Sequence, residues 1–401
     1  MFDGDGSRAS KFASSGKLSP YTEVPMPVIR TLTLILLLGA CSPSKSVVDD
    51  GPDTPGASSG PSAEFADGVR RLLSEHQLSS IGVAVVQDGQ PGFATAYGVA
   101  DQRTQQDATG DTIYALASCS KPIVGLATAR LMELHPEFDL DADINTYLRW
   151  PTSLTHPDHP ATPVTMRQLL RHRSAIAENG PADYSTYPKP DPDVPLDTFL
   201  RGLLTDTDDY WLDHAPGGAE AYSNLGAALA GLVIEKVAGT PFNTFCNEQL
   251  FTPLGMDDTR WLFAELSSAQ QSRVALPHDD ALNPYVHYAF NDYPSGLLRA
   301  SPRDFARLLA MLVNRGILDG TRVLTDASVS AFETTPMFIE PSTDGGVATF
   351  SHDGGETGVN TAFLYRQDGD AYVYLINSDL DDDALDTVAA ALEALIEAEL
   401  E

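Results

Sequence analysis

The chain has 401 residues, of which 42% are hydrophobic and 20% are charged. This is enough apolar sequence for one large core or two moderate ones, and it excludes a wholly disordered or collagen-like chain. The 56 acidic and 25 basic side chains leave a formal net charge of −31, which repels the phosphates of nucleic acids. We therefore expect no nucleic-acid partner. The three cysteines form no CxxC pair, so the sequence predicts neither a disulfide framework nor a thiolate metal site.

The first predicted element is a short apolar segment near the start of the chain. Residues 32–40 (LTLILLLGA) follow Arg30, and they are far fewer than the roughly 20 residues of a membrane-spanning helix. The segment is typical of a secretory signal peptide, because it ends in small residues directly before Cys41. We expect residues 1–40 to be this signal peptide, with Met26 as an alternative start.

The four residues 38–41 (LGAC) resemble the lipobox of bacterial lipoproteins. The resemblance implies export across the inner membrane and a lipid anchor on Cys41, either facing the periplasm or at the outer membrane of the bacterial cell envelope. An ordinary cleaved signal peptide is the alternative. Residues 41–62 are rich in Pro, Gly, Ser and Asp, which predicts a disordered linker. The G-x-S-x-G match at 56–60 is interpreted as chance, since this composition forms neither the strand nor the helix that the motif needs.

The globular domain is predicted over residues 63–401. A helix at 63–76 precedes a hairpin with strands at 81–86 and 93–99. A mostly helical region follows at about 111–285, with helices predicted at 122–134, 165–172, 196–204, 224–237 and 241–249. The C-terminal part has helices at 302–315 and 384–400 and strands at 348–352, 360–365 and 371–377. The predicted fold class is α/β of the α+β type: an antiparallel sheet built from N- and C-terminal segments, flanked by helices, with the helical region inserted.

The most informative motif is the tetrad SCSK at residues 118–121. An apolar, Ala-rich helical sequence follows it and begins with proline, so the tetrad lies where a loop enters a buried helix. Residues three apart share one helix face, so the amine of Lys121 can reach the hydroxyl of Ser118. A serine becomes a nucleophile when a base takes its proton, and burial equips a lysine for that task. Backbone donors at the helix start can stabilise negative charge on an attacked carbonyl.

Two further segments give this tetrad a context. Residues 222–224 (YSN) precede a second apolar helix, and residues 351–355 (SHDGG) follow a short predicted strand. The order S-x-x-K, Y-x-N, H-x-G resembles the serine β-lactamase and penicillin-binding protein superfamily, and in particular the class C β-lactamases and their esterase and D-amino-acid peptidase relatives. Supporting segments are 165–172 (TMRQLLRH), 253–256 (PLGM) and 295–297 (SGL). The resemblance covers about residues 64–400 and implies a β-lactamase-like fold.

The resemblance also implies the roles of individual side chains. Ser118 would be the acylated nucleophile, and Lys121 and Tyr222 would share the proton transfer. Asn224 would hold the amide of the substrate.

The third motif would complete the site. His352 replaces the usual lysine and would orient the tyrosine hydroxyl or bind a substrate group, without a permanent positive charge. The N–H groups of the nucleophile and of Gly355, which follows Gly354, would form the oxyanion hole. Arg173 and Ala175 depart from the Thr and Gly of the family pattern, which indicates an altered loop near the cleft.

Other candidate residues favour structural interpretations. Cys119 lies about 100° around the helix from the nucleophile, so we expect a small buried side chain. His156, Asp158 and His159 lack the spacing of a metal site and are expected in a solvated loop. The acidic residues in 139–143 begin like a calcium loop but lack its glycine and its final glutamate, so they are interpreted as turn and helix-cap carboxylates.

The sequence thus predicts a serine hydrolase that cleaves an amide or ester through an acyl-enzyme, without metal or cofactor. The substrate is a small molecule, a peptide or an ester, and its acyl group could come from a peptidoglycan peptide, a β-lactam or a D-amino-acid peptide. A carboxylesterase that acts on small acyl esters is one alternative. A non-catalytic binding protein of the cell envelope is another, although loss of chemistry would erode the intact set of Ser118, Lys121 and Tyr222.

Overall fold

The computed structural model describes residues 60–177, 187–205 and 209–401. The predicted signal peptide, Cys41 and nearly all of the predicted linker therefore lie outside the described residues. Within them the helices are α1 (Ala63–Glu75), α2 (Lys121–Leu134), α3 (Asn145–Leu148), α4 (Met166–Leu170), α5 (Leu196–Thr205), α6 (Asn224–Ala238), α7 (Phe242–Cys246), α8 (Thr252–Leu254), α9 (Ser268–Gln271), α10 (Pro302–Val313), α11 (Asp326–Thr334) and α12 (Asp382–Leu400). The strands are β1 (Ser80–Gln87), β2 (Gln90–Asp101), β3 (Gln106–Asp107), β4 (Tyr114–Ala115), β5 (Arg299–Ala300), β6 (Ile317–Leu318), β7 (Thr321–Arg322), β8 (Glu340–Asp344), β9 (Val347–Glu356), β10 (Val359–Arg366) and β11 (Ala371–Ile376).

The central sheet has seven strands in the order β3-β2-β1-β11-β10-β9-β8, and every neighbouring pair is antiparallel. Strand β1 lies beside β11, with Val83 opposite Tyr374, so the N-terminal hairpin joins the C-terminal strands in one sheet. Helices α2 to α9 are inserted in the chain between these two groups of strands. The predicted fold class is confirmed.

Both faces of the sheet are buried, which explains the unbroken apolar sequence of its central strands. Successive side chains of a strand point to opposite faces. Val83 and Val85 pack with α1 and α12 in one hydrophobic cluster, whereas Ala84 and Val86 belong to a larger cluster on the other face. Helix α10 lies on that second face, against β1, β2 and β11.

Helices α2 and α6 run through the larger core and both begin near the candidate site. Ten residues of each are buried, so neither helix has a polar face, as expected for helices enclosed by protein. Helix α6 begins at the N-cap Ser223, whose hydroxyl accepts a hydrogen bond from Gly226 N at 2.9 Å, and it ends at Gly239 in a left-handed conformation. Among the described residues, no single helix is long and apolar enough to cross a membrane, although the bent pair Asn224–Ala238 and Phe242–Leu254 has the required length and composition.

The structure differs from the sequence predictions in three elements. The predicted strand 348–352 extends to Glu356, so the SHDGG segment lies within β9 and does not follow it. The edge strand β8 was not predicted, because all of its residues (EPSTD) are exposed and carry no apolar alternation. The predicted helix 241–249 is α7 continued by a π-helical turn at Asn247–Phe251.

Candidate active site

Ser118 lies in a 3-10 turn, Ala117–Ser120, that leads directly into α2. The residue before it, Ala117, is buried and has φ of 47°, in the left-handed region that residues with a side chain seldom adopt. A conformation of this kind persists only where the surroundings fix it. Here the Thr361 hydroxyl donates to the carbonyl of Leu116 at 2.8 Å, and Leu116 N donates to the carbonyl of Leu298 at 2.9 Å. The turn is therefore held between strand β10 and the start of β5.

Lys121 is the first residue of α2 and has no exposed surface. Its Nζ donates to Ser118 Oγ at 2.9 Å and to the carbonyl of Ser295 at 2.7 Å. The predicted spacing of three residues thus places amine and hydroxyl in contact. The Ser295 carbonyl is thus a second acceptor for the same amine.

Tyr222 reaches the same hydroxyl from the loop before α6. Its OH donates to Ser118 Oγ at 2.7 Å, and its ring lies 4.7 Å from Lys121 Nζ. The ring of His172 stacks on Tyr222 with centroids 4.5 Å apart, and His172 Nδ1 accepts a hydrogen bond from Ser223 N at 3.1 Å. Burial, together with the nearby charges of Lys121 and His352, lowers the pKa of His172 well below its usual range. A neutral imidazole therefore supports the tyrosine.

His352 lies in the interior of β9 and is 8% exposed. Its Nδ1 contacts the carbonyl oxygen of Asp353. Burial and the positive charge of Lys121 lower the pKa of His352 to about 4, so the ring is neutral at pH 7. A neutral ring agrees with the expected lack of a permanent charge at this position, and the roles expected for His352 toward the tyrosine or the substrate stay predictions.

Strand β9 approaches the nucleophile so closely that only glycine fits at position 354. A Cβ on Gly354 would lie 2.6 Å from Thr361 Oγ1, 2.7 Å from the Leu116 carbonyl and 2.8 Å from Ser118 N. Glycine is the residue that allows such an approach of two backbone segments. The strand therefore brings Gly354 beside Ser118 N, and the oxyanion hole at Gly355, the next residue, stays a prediction.

Asn224 is the first residue of α6 and is partly exposed, two positions from Tyr222 in the chain. A cavity beside Ala117 is lined mainly by aromatic and apolar side chains, among them Tyr288, Phe290 and Leu297. Arg299 and Glu356 also line this cavity, and Ala117, the residue before the nucleophile, forms part of its wall.

This geometry is suited to nucleophilic catalysis. The Ser118 hydroxyl faces two groups, the amine of Lys121 and the phenol of Tyr222, and either accepts a proton once it has lost its own. Burial disfavours the charged form of an amine, which equips Lys121 to act as a base. The amine and the phenol lie close enough to titrate as a coupled pair.

The remaining candidates take structural positions. Cys119 is buried, as predicted, and its thiol donates to the carbonyl of His352 at 3.4 Å. The prediction of a solvated loop is wrong for His156, which is 1% exposed because its ring packs against Trp211 and its Nε2 contacts the carbonyl of Leu212 at 2.8 Å.

The candidate calcium loop has turn carboxylates, as predicted, but the N-cap of α3 is Ile144 and not one of the aspartates. Asp139 accepts from the N–H of Asp141 at 2.9 Å, and Asp143 accepts from the N–H of Asn145 at the same distance. Within residues 60–177, 187–205 and 209–401, no three His, Cys, Asp or Glu side chains form a group that could hold a metal ion.

Sequence reasoning did not single out two residues of the site. His172 ends the L-L-x-H segment, and this segment is the feature of the sequence that could indicate its contact with Tyr222. Asp292 was not noted at all, yet it is fully buried, and its Oδ2 accepts a hydrogen bond from the Ser295 hydroxyl at 2.7 Å. One aspartate in a polar loop sequence (NDYPS) gives no sign of burial.

An antiparallel sheet with an inserted helical region, and a serine held by a lysine and a tyrosine, define a class of proteins related to the serine β-lactamases. Residues 65–395 match the Beta-lactamase family, and the chain belongs to this family. It is 31% identical over 219 residues to the esterase EstB of Burkholderia gladioli, across 52% of this chain and 53% of that protein. It is 27% identical over 276 residues to penicillin-binding protein 4 of Amycolatopsis lactamdurans, across 67% of this chain and 68% of that protein.

Solved structures agree on the fold. The class C β-lactamase of Rhodobacter sphaeroides superposes with a TM-score of 0.64 and 20% identity, over 84% of this chain and 100% of that one. The chain spans only about half the length of the esterase that it matches, 53%.

Proposed function

We propose that this protein is a serine hydrolase of the β-lactamase type, which cleaves an amide or ester bond through an acyl-enzyme on Ser118. The observation that carries the proposal is that Ser118 Oγ accepts hydrogen bonds from both Lys121 Nζ, at 2.9 Å, and Tyr222 OH, at 2.7 Å. The esterase and penicillin-binding relatives support the same class of chemistry.

The reaction proceeds in two halves. In the first, Ser118 Oγ attacks the substrate carbonyl, its proton passes to the pair of Lys121 and Tyr222, and the N–H groups of Ser118 and Gly355 stabilise the oxyanion. The tetrahedral intermediate collapses when the amine or alcohol leaves with the transferred proton. In the second half, water attacks the acyl carbonyl and gives its proton to the same pair, and the pair returns that proton to Ser118 Oγ as the bond to the acyl group breaks and the acid is released.

An ester without a carboxylate near the scissile bond is the favoured substrate within this class. The pKa of His352, about 4, leaves the H-x-G position neutral at pH 7. Arg299 lines the cavity, but its guanidinium donates to the backbone carbonyl of Pro190 at 2.9 Å and more weakly to that of Leu297. Neither His352 nor Arg299 therefore offers a permanent positive charge without a protein partner to a substrate carboxylate.

The test is intact-protein mass spectrometry after exposure to a fluorophosphonate and, in a separate sample, to a penicillin. We expect a fluorophosphonate adduct on Ser118 and a slower reaction, or none, with penicillin. The variant Ser118→Ala should form no adduct and hydrolyse no ester. The matched control Ser272→Ala changes an exposed serine away from the site and should react like the wild type.

The outcomes separate the candidate functions. Rapid acylation by penicillin would favour a β-lactamase or peptidase over an esterase. An adduct on a different serine, or ester turnover by folded Ser118→Ala protein, would contradict the mechanism. A protein that forms no adduct and turns over no ester or amide would be a binding protein of the same fold.

We also propose that the protein is exported and attached to a membrane of the bacterial envelope by a lipid on Cys41. The support is the LGAC sequence at 38–41 after an apolar segment. The variant Cys41→Ser should move the protein from the detergent phase to the aqueous phase in Triton X-114 partitioning, while Cys246→Ser, which changes a buried free cysteine, should not. Unchanged partitioning of Cys41→Ser would contradict the lipid anchor.

A further inference from the structure

The carboxyl group of Asp292 is buried, and the charge of the candidate base, Lys121, acts on it. Asp292 precedes the short 3-10 turn Tyr293–Ser295, whose last carbonyl accepts the hydrogen bond from Lys121 Nζ at 2.7 Å. The Ser295 hydroxyl donates to Asp292 Oδ2 at 2.7 Å, and Ser295 N donates to the Asp292 carbonyl at 2.9 Å. One residue, Ser295, therefore links the carboxyl group to the amine.

We propose that Asp292 is a positioning residue for Lys121: its carboxyl group holds the Ser295 carbonyl against the amine, and its charge controls the protonation of that amine. This inference rests on the proposed function, because it assigns to Lys121 the role of base.

The burial of Asp292 is difficult to explain as packing alone. The side chain has no exposed surface, and its Oδ1 has no hydrogen-bond partner among the described residues. A buried acceptor without a partner destabilises the folded state by about 1–3 kcal/mol. An apolar residue would avoid that loss, whereas an asparagine would still bury an unpaired polar group, so the carboxyl group is better explained by what it does for its neighbour.

The electrostatic surroundings of the pair favour this role. Burial raises the pKa of Asp292 to about 7, while the Ser295 hydroxyl and the charge of Lys121 act in the opposite direction. The carboxyl group therefore changes its charge close to neutral pH, and when ionised it favours the protonated form of the amine. The other titratable groups around the amine or the turn are Cys119, His172, Tyr222, Glu235, Tyr293 and His352. His172 and His352 are neutral at pH 7, whereas the charge of Lys121 acts directly on Asp292; Asp353, near Cys119, is a further acidic group of these surroundings.

The variant Asp292→Asn tests the charge. Without the carboxylate, the neutral form of the Lys121 amine is favoured. The rate of Ser118 phosphonylation by a fluorophosphonate should rise with pH as the base loses its proton, and we call this rise the acid limb. In Asp292→Asn the midpoint of the acid limb should move to lower pH by about one unit. In that reaction the Oγ–P bond forms, fluoride leaves, and the serine proton passes to the base. The matched control is Asp304→Asn, which changes another largely buried aspartate. Asp304 accepts a hydrogen bond from the Thr259 hydroxyl at 2.9 Å, so this variant should have the same acid limb as the wild type.

A second readout does not depend on catalysis. The chain has six lysines, so labelling with 13Cε-lysine allows Lys121 to be followed by NMR during a pH titration, after assignment with Lys121→Arg. Its titration midpoint should be lower in Asp292→Asn than in the wild type. An unchanged midpoint and an unchanged acid limb would overturn the proposal, whereas absence of any adduct on wild-type Ser118 would overturn the proposed function instead.

The variant Ser295→Ala tests the link and serves if Asp292→Asn does not fold. It keeps the backbone carbonyl that faces Lys121 but removes the hydroxyl bonded to Asp292. Phosphonylation should slow by about fivefold because the carbonyl is held less firmly. An unchanged rate and an unchanged Lys121 midpoint would show that Asp292 does not act through Ser295.

Discussion

At the scale of single residues, the candidate site combines a buried amine with a set of neutral rings. Lys121 has no exposed surface, and Tyr222, His172 and His352 surround it. Both histidines are neutral at pH 7 because burial and the charge of Lys121 disfavour their protonation. The two histidine rings near Lys121 therefore present no charge to a substrate at pH 7.

The variant His352→Lys should restore a positive charge at the H-x-G position. We expect the ratio of kcat/KM for a substrate with a carboxylate near the scissile bond to that for its neutral ester to rise about fivefold, or about 1 kcal/mol. The control His352→Gln keeps the position polar and uncharged and should leave the ratio unchanged. An unchanged ratio in His352→Lys would mean that this side chain does not face the substrate.

Since the pKa of His352 is about 4, this ring changes its charge below the pH range in which such an enzyme works. An acid limb between pH 5 and 8 should therefore come from other groups, and His352→Gln should not move it. The pH profiles of kcat/KM for the wild type and the variant check this. A displaced limb in His352→Gln would assign the limb to this histidine.

At the scale of elements, the sequence predicted the helices and central strands because their apolar patterns are long. Helices α2 and α6 begin where the motifs of Lys121 and Tyr222 place them. The sequence did not reveal that β9 continues through the glycine motif to Glu356, since glycine is disfavoured in strands by local propensity. The reason for Gly354 is tertiary: the strand packs against the turn that holds Ser118.

The variant Gly354→Ala tests this contact between elements. The added methyl group would lie under 3 Å from the Thr361 hydroxyl, the Leu116 carbonyl and Ser118 N, so the strand and the turn must separate. We expect a loss of about 1–3 kcal/mol in the free energy of unfolding and a fall of at least about tenfold in kcat/KM. Urea unfolding and steady-state kinetics measure the two effects.

The control Gly202→Ala adds the same methyl group in α5, where no atom lies within 4 Å of the new Cβ. It should keep wild-type activity and gain a few tenths of a kcal/mol, because alanine is the better helix former. Wild-type kinetics in Gly354→Ala would show that β9 can move without disturbing Ser118.

At the scale of the whole molecule, the sheet separates two hydrophobic clusters, and helix α2, which carries Lys121, belongs to the larger one. The smaller cluster lies under α1 and α12, whereas α2 belongs to the larger cluster. The sequence predicted that distant segments form one sheet, since apolar strands occur at both ends of the chain. It could not reveal which polar residues the fold buries, so His156 and Asp292, both in polar sequence, were not recognised as buried.

This separation predicts that stability and activity respond differently to changes in the two clusters. Leu392, in α12, and Leu126, in α2, both have no exposed surface. Replacing either by alanine should lower the free energy of unfolding by about 2–5 kcal/mol, measured by urea denaturation. In Leu392→Ala the folded protein should keep the kcat/KM of the wild type, because α12 lies across the sheet from Ser118. In Leu126→Ala, kcat/KM should also fall, because α2 carries Lys121; equal losses of activity in both variants would contradict the separation.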